Sequence, residues 1–151
     1  MDIAVFGFDP TVDELENSLR EAAEQGFPSY WMPQIFGMDA LTAIAVAAKN
    51  VPNIRVGTSV IPTYPRHPMV LAQQALTTQS VIGGRLELGI GLSHQPVVEG
   101  MWGISFDKPV RHMSDYLSIL TPLLNDRRVS FKGESIIGRG EITPPPADAP
   151  P

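Results

Sequence analysis

Apolar positions along this chain follow two alternating periods. Short β-branched and aromatic runs at Ile3–Phe8, Ser29–Met32, Ile54–Ile61 and Arg85–Ile90 predict buried strands. Between them the apolar spacing becomes helical. Val12, Leu15, Leu19 and Ala22 fall on one helix face, preceded by the capping-box pattern Thr11-Val-Asp-Glu14 and stopped by Gly26. Asp39–Lys49, rich in alanine and leucine, predicts a second helix. Pro68–Ser80 predicts a third, closed by Gly83-Gly84. Pro109–Leu124 predicts a fourth, with proline suited to its first turn. The result is β-α repeated four times, at a spacing that implies right-handed parallel units.

Four such units fit an open doubly wound sheet or half of an eight-stranded barrel, which takes about 250 residues. Pattern alone leaves both open. In either architecture the functional groups gather at the carboxyl ends of the strands. After position 128 the pattern changes. Val129–Phe131 and Ile136-Ile137 flank Lys132-Gly133-Glu134 as a hairpin outside the main sheet. Pro144, Pro145, Pro146, Pro150 and Pro151 then make an extended, linker-like tail. The predicted organisation is residues 1–128 as the β/α body and 129–151 as hairpin and proline-rich linker.

Composition narrows the classes. The chain has 151 residues, 43% of them hydrophobic, which suffices for one domain with its own core. A net charge of −5 without any basic block argues against nucleic acid. No cysteine is present, so disulfides and thiolate chemistry are excluded. No segment reaches the roughly 20 apolar residues of a membrane span, and Met1–Asp9 does not read as a signal peptide. A cytoplasmic protein with a small-molecule substrate is the expectation.

Candidate chemistry sits just beyond the strands. Thr58 and Ser59 offer hydroxyls after strand three, although threonine is ordinary in strands. Gly89-Ile90-Gly91 lets another group approach the backbone, or simply allows tight packing. It lacks the full GxGxxG of a dinucleotide site. His94 follows strand four as an acid, base or hydrogen-bond donor, or as a solvent-exposed loop residue. Gln34 suits the polar edge of a heterocycle. Asp9 either faces the site or starts the Pro10 turn, and Tyr64 either lines a pocket or fills a loop. His67 reads as a surface or cap residue and His112 as structural. The three histidines have no metal-ligand spacing, so no metal site is expected.

The segments GTSVIP (57–62), PMVLAQQALTTQ (68–79), GGRLELGIG (83–91) and GISFDKP (103–109) together resemble the luciferase-like monooxygenase superfamily, in particular its members that use the deazaflavin coenzyme F420. The resemblance implies a fold of the (β/α)8 TIM-barrel family, of which this chain would supply about half. It implies hydride transfer at a deazaflavin ring, to or from a small organic substrate. Ser59-Val60 matches the place of a non-prolyl cis peptide that supports the ring from behind, with Thr58 beside it. Gly91, Leu92, Ser93 and His94 match the strand-four loop that lines ring and substrate, with His94 the candidate proton donor. Gln34 and Ile35 stand where sugar-phosphate and alcohol dehydrogenases of the family carry an acid and a catalytic histidine. Their absence argues against alcohol oxidation with a base at that position and fits a reductase, or an enzyme whose proton donor is elsewhere, with His94 as the candidate.

The same resemblance leaves two other readings. One is an FMN-dependent luciferase-like monooxygenase. The other is a non-catalytic half-barrel that assembles with another chain. The family's remaining cofactor contacts come partly from later strands, so a homo-oligomer or a separate C-terminal half is the expected partner.

Overall fold

The computed structural model describes residues 3–147 and 149–151; Met1, Asp2 and Asp148, the last within the predicted linker, lie outside the described residues. The elements run β1 (Val5–Phe6), α1 (Val12–Glu24), β2 (Ser29–Met32), α2 (Ala40–Ala47), a 3-10 turn (Ala48–Asn50), β3 (Arg55–Thr58), β4 (Ile61–Pro62) and α3 (Pro68–Val81). They continue with β5 (Leu86–Glu87), β6 (Ile90–Gly91), α4 (Gln95–Gly100), α5 (Pro109–Asp126), β7 (Arg128–Lys132) and β8 (Ile137–Glu141). The chain divides into two compact units, Met1–Ile61 with Ala75–Ile90 and Pro145–Pro151, and Pro62–Gln74 with Gly91–Pro144.

The first unit holds a four-stranded parallel sheet in the order β1-β2-β3-β5. Tyr30 lies opposite Val5 and Val56, and Gly57 lies opposite Trp31 and Glu87. Parallel pairing with an intervening helix each time is what the β-α pattern requires. The helix signals act as predicted. Thr11 Oγ1 accepts the Glu14 amide at 3.2 Å and donates to the Glu14 carboxylate at 2.9 Å. At the far end of α1, Phe27 N–H reaches Ala22 O and Gly26 N–H reaches Ala23 O, with Gly26 at φ +82°. That is a Schellman stop, and glycine adopts its left-handed corner without a Cβ clash. Leu15, Leu19, Ala22, Leu41, Ile44, Ala47, Val56 and Leu76 form the buried core of this unit.

The second unit is built on α5. Tyr116, Ile119, Leu120 and Leu123 are buried along it, and the antiparallel β7–β8 hairpin packs against the same helix. Two glycines make that approach feasible. A Cβ at Gly138 would lie 2.6 Å from the Ile119 side chain, and one at Gly133 would lie 2.3 Å from the Asp115 carboxylate. Asp115, only 3% exposed, accepts the Ser135 amide at 2.8 Å and so ties the hairpin turn to the helix.

Four details differ from the sequence pattern. Strand three does not run unbroken from 54 to 61: it stops at Thr58 and resumes at Ile61. Strand four breaks likewise, between Glu87 and Ile90. The first strand shrinks to Val5–Phe6, because only those residues pair with β2. Helix α4 was not anticipated; six residues span less than two turns, too short to register as a period. The proline-rich tail has no helix or strand among its described residues, and its Pro145–Pro151 stretch belongs to the first unit. Gln79 Nε2 donates to Ala149 O at 3.2 Å.

Within β3 the packing is tight at Gly57, where a Cβ would sit 2.3 Å from the Trp31 ring. Gly57→Ala should therefore destabilise the protein by about 1–3 kcal/mol in urea unfolding. Gly37→Ala, where nothing lies within 4 Å, should stay within about 0.5 kcal/mol of the parent. Equal effects at the two positions would contradict this packing.

Candidate functional site

Each strand of the first unit delivers a short loop at its carboxyl end. After β1 comes Asp9, whose two oxygens are both engaged. Oδ1 accepts from Ser18 Oγ at 2.8 Å and Oδ2 from Tyr30 OH at 2.6 Å. Burial, with the Asp9 carboxylate alongside, holds the Tyr30 phenol well above its ordinary titration range. Asp9 thus anchors the end of β1 to α1 and β2. A cleft of about 200 Å³ opens beside it, lined by Phe8, Asp9, Met32, Pro33, Ile35 and Met38.

After β2 comes Gln34. Its Oε1 accepts the Ala40 amide at 3.2 Å, next to Asp39, whose carboxylate accepts from the amide and the hydroxyl of Thr42 at 3.0 and 2.8 Å. Two side-chain acceptors therefore serve the first amides of α2. The carbonyl end of Gln34 is spent on the helix, which leaves its amide nitrogen as the group available to a ligand. Ile35 and Phe36 follow and are 54% and 61% exposed.

After β3 come Thr58, Ser59 and Val60. The Ser59–Val60 peptide is cis, at the position the sequence resemblance indicated. Ser59 N–H donates to Met32 O at 2.8 Å, and both Ser59 and Val60 are exposed. Thr58 is wholly buried. Its hydroxyl donates to Gly89 O at 2.8 Å and accepts from Gly89 N–H at 2.9 Å. Gly89 was noted in the sequence as part of a glycine pair, but its bonding to Thr58 was not foreseen, since no local pattern couples residues 31 apart.

In the second unit Gly91 O accepts from Thr63 N–H at 2.9 Å. Leu92 and Ser93 are half-buried, and Ser93 adopts a left-handed φ of +65°. His94 is exposed and occupies the N-cap of α4, where its carbonyl accepts from Val97 and Val98 while its ring makes no capping bond. Its imidazole is therefore not consumed by the cap.

The other two histidines of the second unit are held in place. His67 Nδ1 accepts from Met69 N–H at 3.2 Å and Nε2 lies 3.0 Å from Ile137 O, so both ring nitrogens are engaged by the backbone. His112, 8% exposed, stacks on Tyr64 at 3.9 Å with the rings 2° from parallel, and its Nε2 lies 3.1 Å from Thr63 Oγ1. Tyr64 also packs on Phe106 at 5.2 Å. Tyr64 therefore packs among aromatic rings and also lines a cleft of the second unit with His67, His112 and Ser135, its buried hydroxyl having no hydrogen-bond partner among the described residues. Among the described residues no cluster of three or more metal-ligating side chains occurs, and no helix is long and apolar enough to cross a membrane.

The model of the luciferase-like monooxygenase family matches residues 4–151. A Mycobacterium tuberculosis protein provisionally named a coenzyme F420-dependent oxidoreductase is 33% identical over 134 residues, which is 82% of this chain and 39% of the relative. Among solved structures, the monooxygenase RslO1 from Streptomyces bottropensis superimposes with a TM-score of 0.84 at 20% identity, over 97% of this chain and 50% of that one. The oxygenating constituent of 3,6-diketocamphane monooxygenase from Pseudomonas putida, solved with FMN, gives 0.78 at 20% identity, over 92% of this chain and 43% of that one. The two structures establish the fold, that of about half a luciferase-like (β/α) barrel. The chain thus spans two-fifths to half the length of these proteins.

The His112 ring yields a pH prediction. Burial lowers its pKa from the ordinary 6.5, and Asp115 opposes this in part. The folded state keeps the ring neutral, whereas the unfolded chain protonates it below that value. The stability from this group is present above pH 6.5 and is lost as pH falls through the lower, folded value. Thermal melts should show a drop in Tm between pH 7.5 and pH 5 that shrinks in His112→Gln, a variant less stable than the parent at pH 7.5. An unchanged drop would assign the acid limb to other groups.

Proposed function

The chain belongs to the luciferase-like monooxygenase family, and from that premise we propose that it is the N-terminal half of an oxidoreductase using coenzyme F420. In this reading residues 1–128 form the half-barrel and 129–151 the hairpin insertion and linker. The observation that carries it is the 33% identity to the Mycobacterium tuberculosis protein across 82% of this chain. The strand ends suit a flat ring in one respect: Phe8, Ile35 and Val60, each a few residues past β1, β2 and β3, are 65%, 54% and 40% exposed. They offer apolar surface where the polar groups Asp9 and Thr58 are already bonded.

The bound deazaflavin would supply the carbon that carries hydride. This chain's residues would do the rest. Ser59 and Val60 would present backbone and apolar surface to the ring, and the Gln34 amide nitrogen would donate a hydrogen bond. Gly91, Leu92 and Ser93 would belong to the loop that the family resemblance assigns to the ring. His94, its ring free of the α4 cap, would move a proton at its imidazole. Hydride would pass to or from a small organic substrate, and Ile35 in place of a base at the end of β2 supports reduction over alcohol oxidation with a base at that position.

The expected result is saturable quenching of oxidised F420 fluorescence on adding this protein, with FMN at least about tenfold weaker, a difference of about 1.4 kcal/mol. Tight FMN binding without F420 binding would replace this reading by the FMN-dependent monooxygenase, which the FMN-bound structural neighbour favours.

A second reading is a half-barrel that functions only in an assembly with another chain. It is favoured by Phe6, Phe8, Ile35 and Phe36, all more than half exposed in the first unit. Light scattering should then report self-association that Phe6→Ser with Phe36→Ser reduces. A monodisperse monomer at all concentrations would eliminate pairing between copies.

A further inference from the structure

We propose that Thr58 is a positioning residue. It latches the end of β3 to Gly89 and so fixes the Ser59–Val60 corner, rather than offering its hydroxyl to a bound cofactor. The inference rests on the reading that this corner supports the deazaflavin.

The backbone register between β3 and β5 runs Val56↔Leu86 and Gly57↔Glu87, and there it stops. One residue later the Thr58 side chain takes over. It bonds both polar groups of Gly89, donating to the carbonyl at 2.8 Å and accepting from the amide at 2.9 Å. Beyond the corner the backbone returns to the same residue, with Ile61 N–H donating to Gly89 O at 2.9 Å. One carbonyl therefore receives a bond from each side of Ser59–Val60. From the β2 side, Ser59 N–H is held by Met32 O at 2.8 Å.

Two further facts exclude a ligand role for the hydroxyl. Thr58 is 0% exposed, and its single proton is already donated to Gly89. Position 89 must also be glycine, since a Cβ there would fall 2.0 Å from Thr58 O and 3.4 Å from the Val60 side chain. Glycine at 89 and a hydroxyl at 58 are two halves of one device. What reaches the ring in this scheme is the exposed corner, and what sets its position is the buried latch beneath it.

The test uses the full chain with Thr58→Ser, which keeps the hydroxyl, and Thr58→Val, which keeps the shape. Amide hydrogen exchange is read residue by residue, and oxidised F420 is titrated by fluorescence. In the Val variant, exchange at Ser59, Ile61 and Gly89 should rise by about tenfold or more, and F420 affinity should fall by about tenfold. Amides in the α1 and α2 core, such as Leu19 and Ile44, should keep parent rates. The Ser variant should stay within about threefold of the parent in both measurements. Gly89→Ala should reproduce the Val phenotype from the other half of the latch.

Parent-like exchange at Ser59 and Ile61 in the Val variant overturns the proposal. So does faster exchange with unchanged F420 affinity, which would make the latch structural only. If the parent protein takes up no F420, the functional reading fails, and exchange at Ser59 and Ile61 alone decides whether Thr58 holds the corner.

Discussion

The sheet of the first unit depends on three positions that carry no side chain. A Cβ at Gly7 would overlap the Tyr30 ring, one at Gly57 would enter the Trp31 indole, and one at Gly89 would strike the Thr58 carbonyl. Each glycine lies within or just past a strand and beside a large group from a neighbouring segment. Without them, Tyr30 and Trp31 could not lie across the adjacent strands at native packing density. The close approach then permits the polar ties, Tyr30 to Asp9 and Thr58 to Gly89. Steric permission comes first and hydrogen bonding second, because a bond of 2.6–2.9 Å forms only where packing has already brought donor and acceptor together.

Much of this architecture was legible in the residues. Helices α1, α2, α3 and α5 followed from composition, apolar spacing and stop or start residues, since Thr11, Gly26 and Pro109 are local signals with local consequences, whereas Asp39 as the cap of α2 emerged only in the structure. Strand β2, expected from its apolar and aromatic run, falls at Ser29–Met32 as read, between Pro28 and Pro33. The breaks at Ser59–Val60 and Leu88–Gly89 were not legible from hydrophobicity. They are set by pairing between segments about 30 residues apart, and an apolar run looks the same whether or not its ladder is interrupted. The resemblance of GTSVIP to known sequences marked the first corner. Nothing marked the second as its partner.

For the site, the sequence located the right loops but not the use of each atom. Asp9, Gln34 and Thr58 were all polar, all at strand ends, and all plausible ligands. The structure shows Asp9 consumed by Ser18 and Tyr30, half of Gln34 consumed by α2, and the Thr58 hydroxyl consumed by Gly89. Whether a polar side chain serves the fold or a ligand depends on which unmet backbone or phenolic group lies within about 3 Å of it. That is a tertiary fact. His94 shows the converse: its backbone starts α4 while its ring is left unspent.

The same accounting bears on how much chemistry these residues can hold. A strand-end site needs groups on every side of the reacting atoms, and here the sheet order ends at β1 and β5. Phe6 and Phe8 at β1, and Phe36 after β2, are 61%, 65% and 61% exposed. Leaving such rings in water forfeits about 25 cal/mol for each Å² of apolar surface that could be buried. A parallel sheet is stable when both faces are covered. The proteins that share this fold are two to two-and-a-half times as long. In the proposed reading, polar ties saturated at the strand ends beside exposed apolar side chains would make one wall of a binding site, because the Ser59–Val60 corner is held by Met32 and Gly89 while Phe8, Ile35 and Val60 stay open to a ligand.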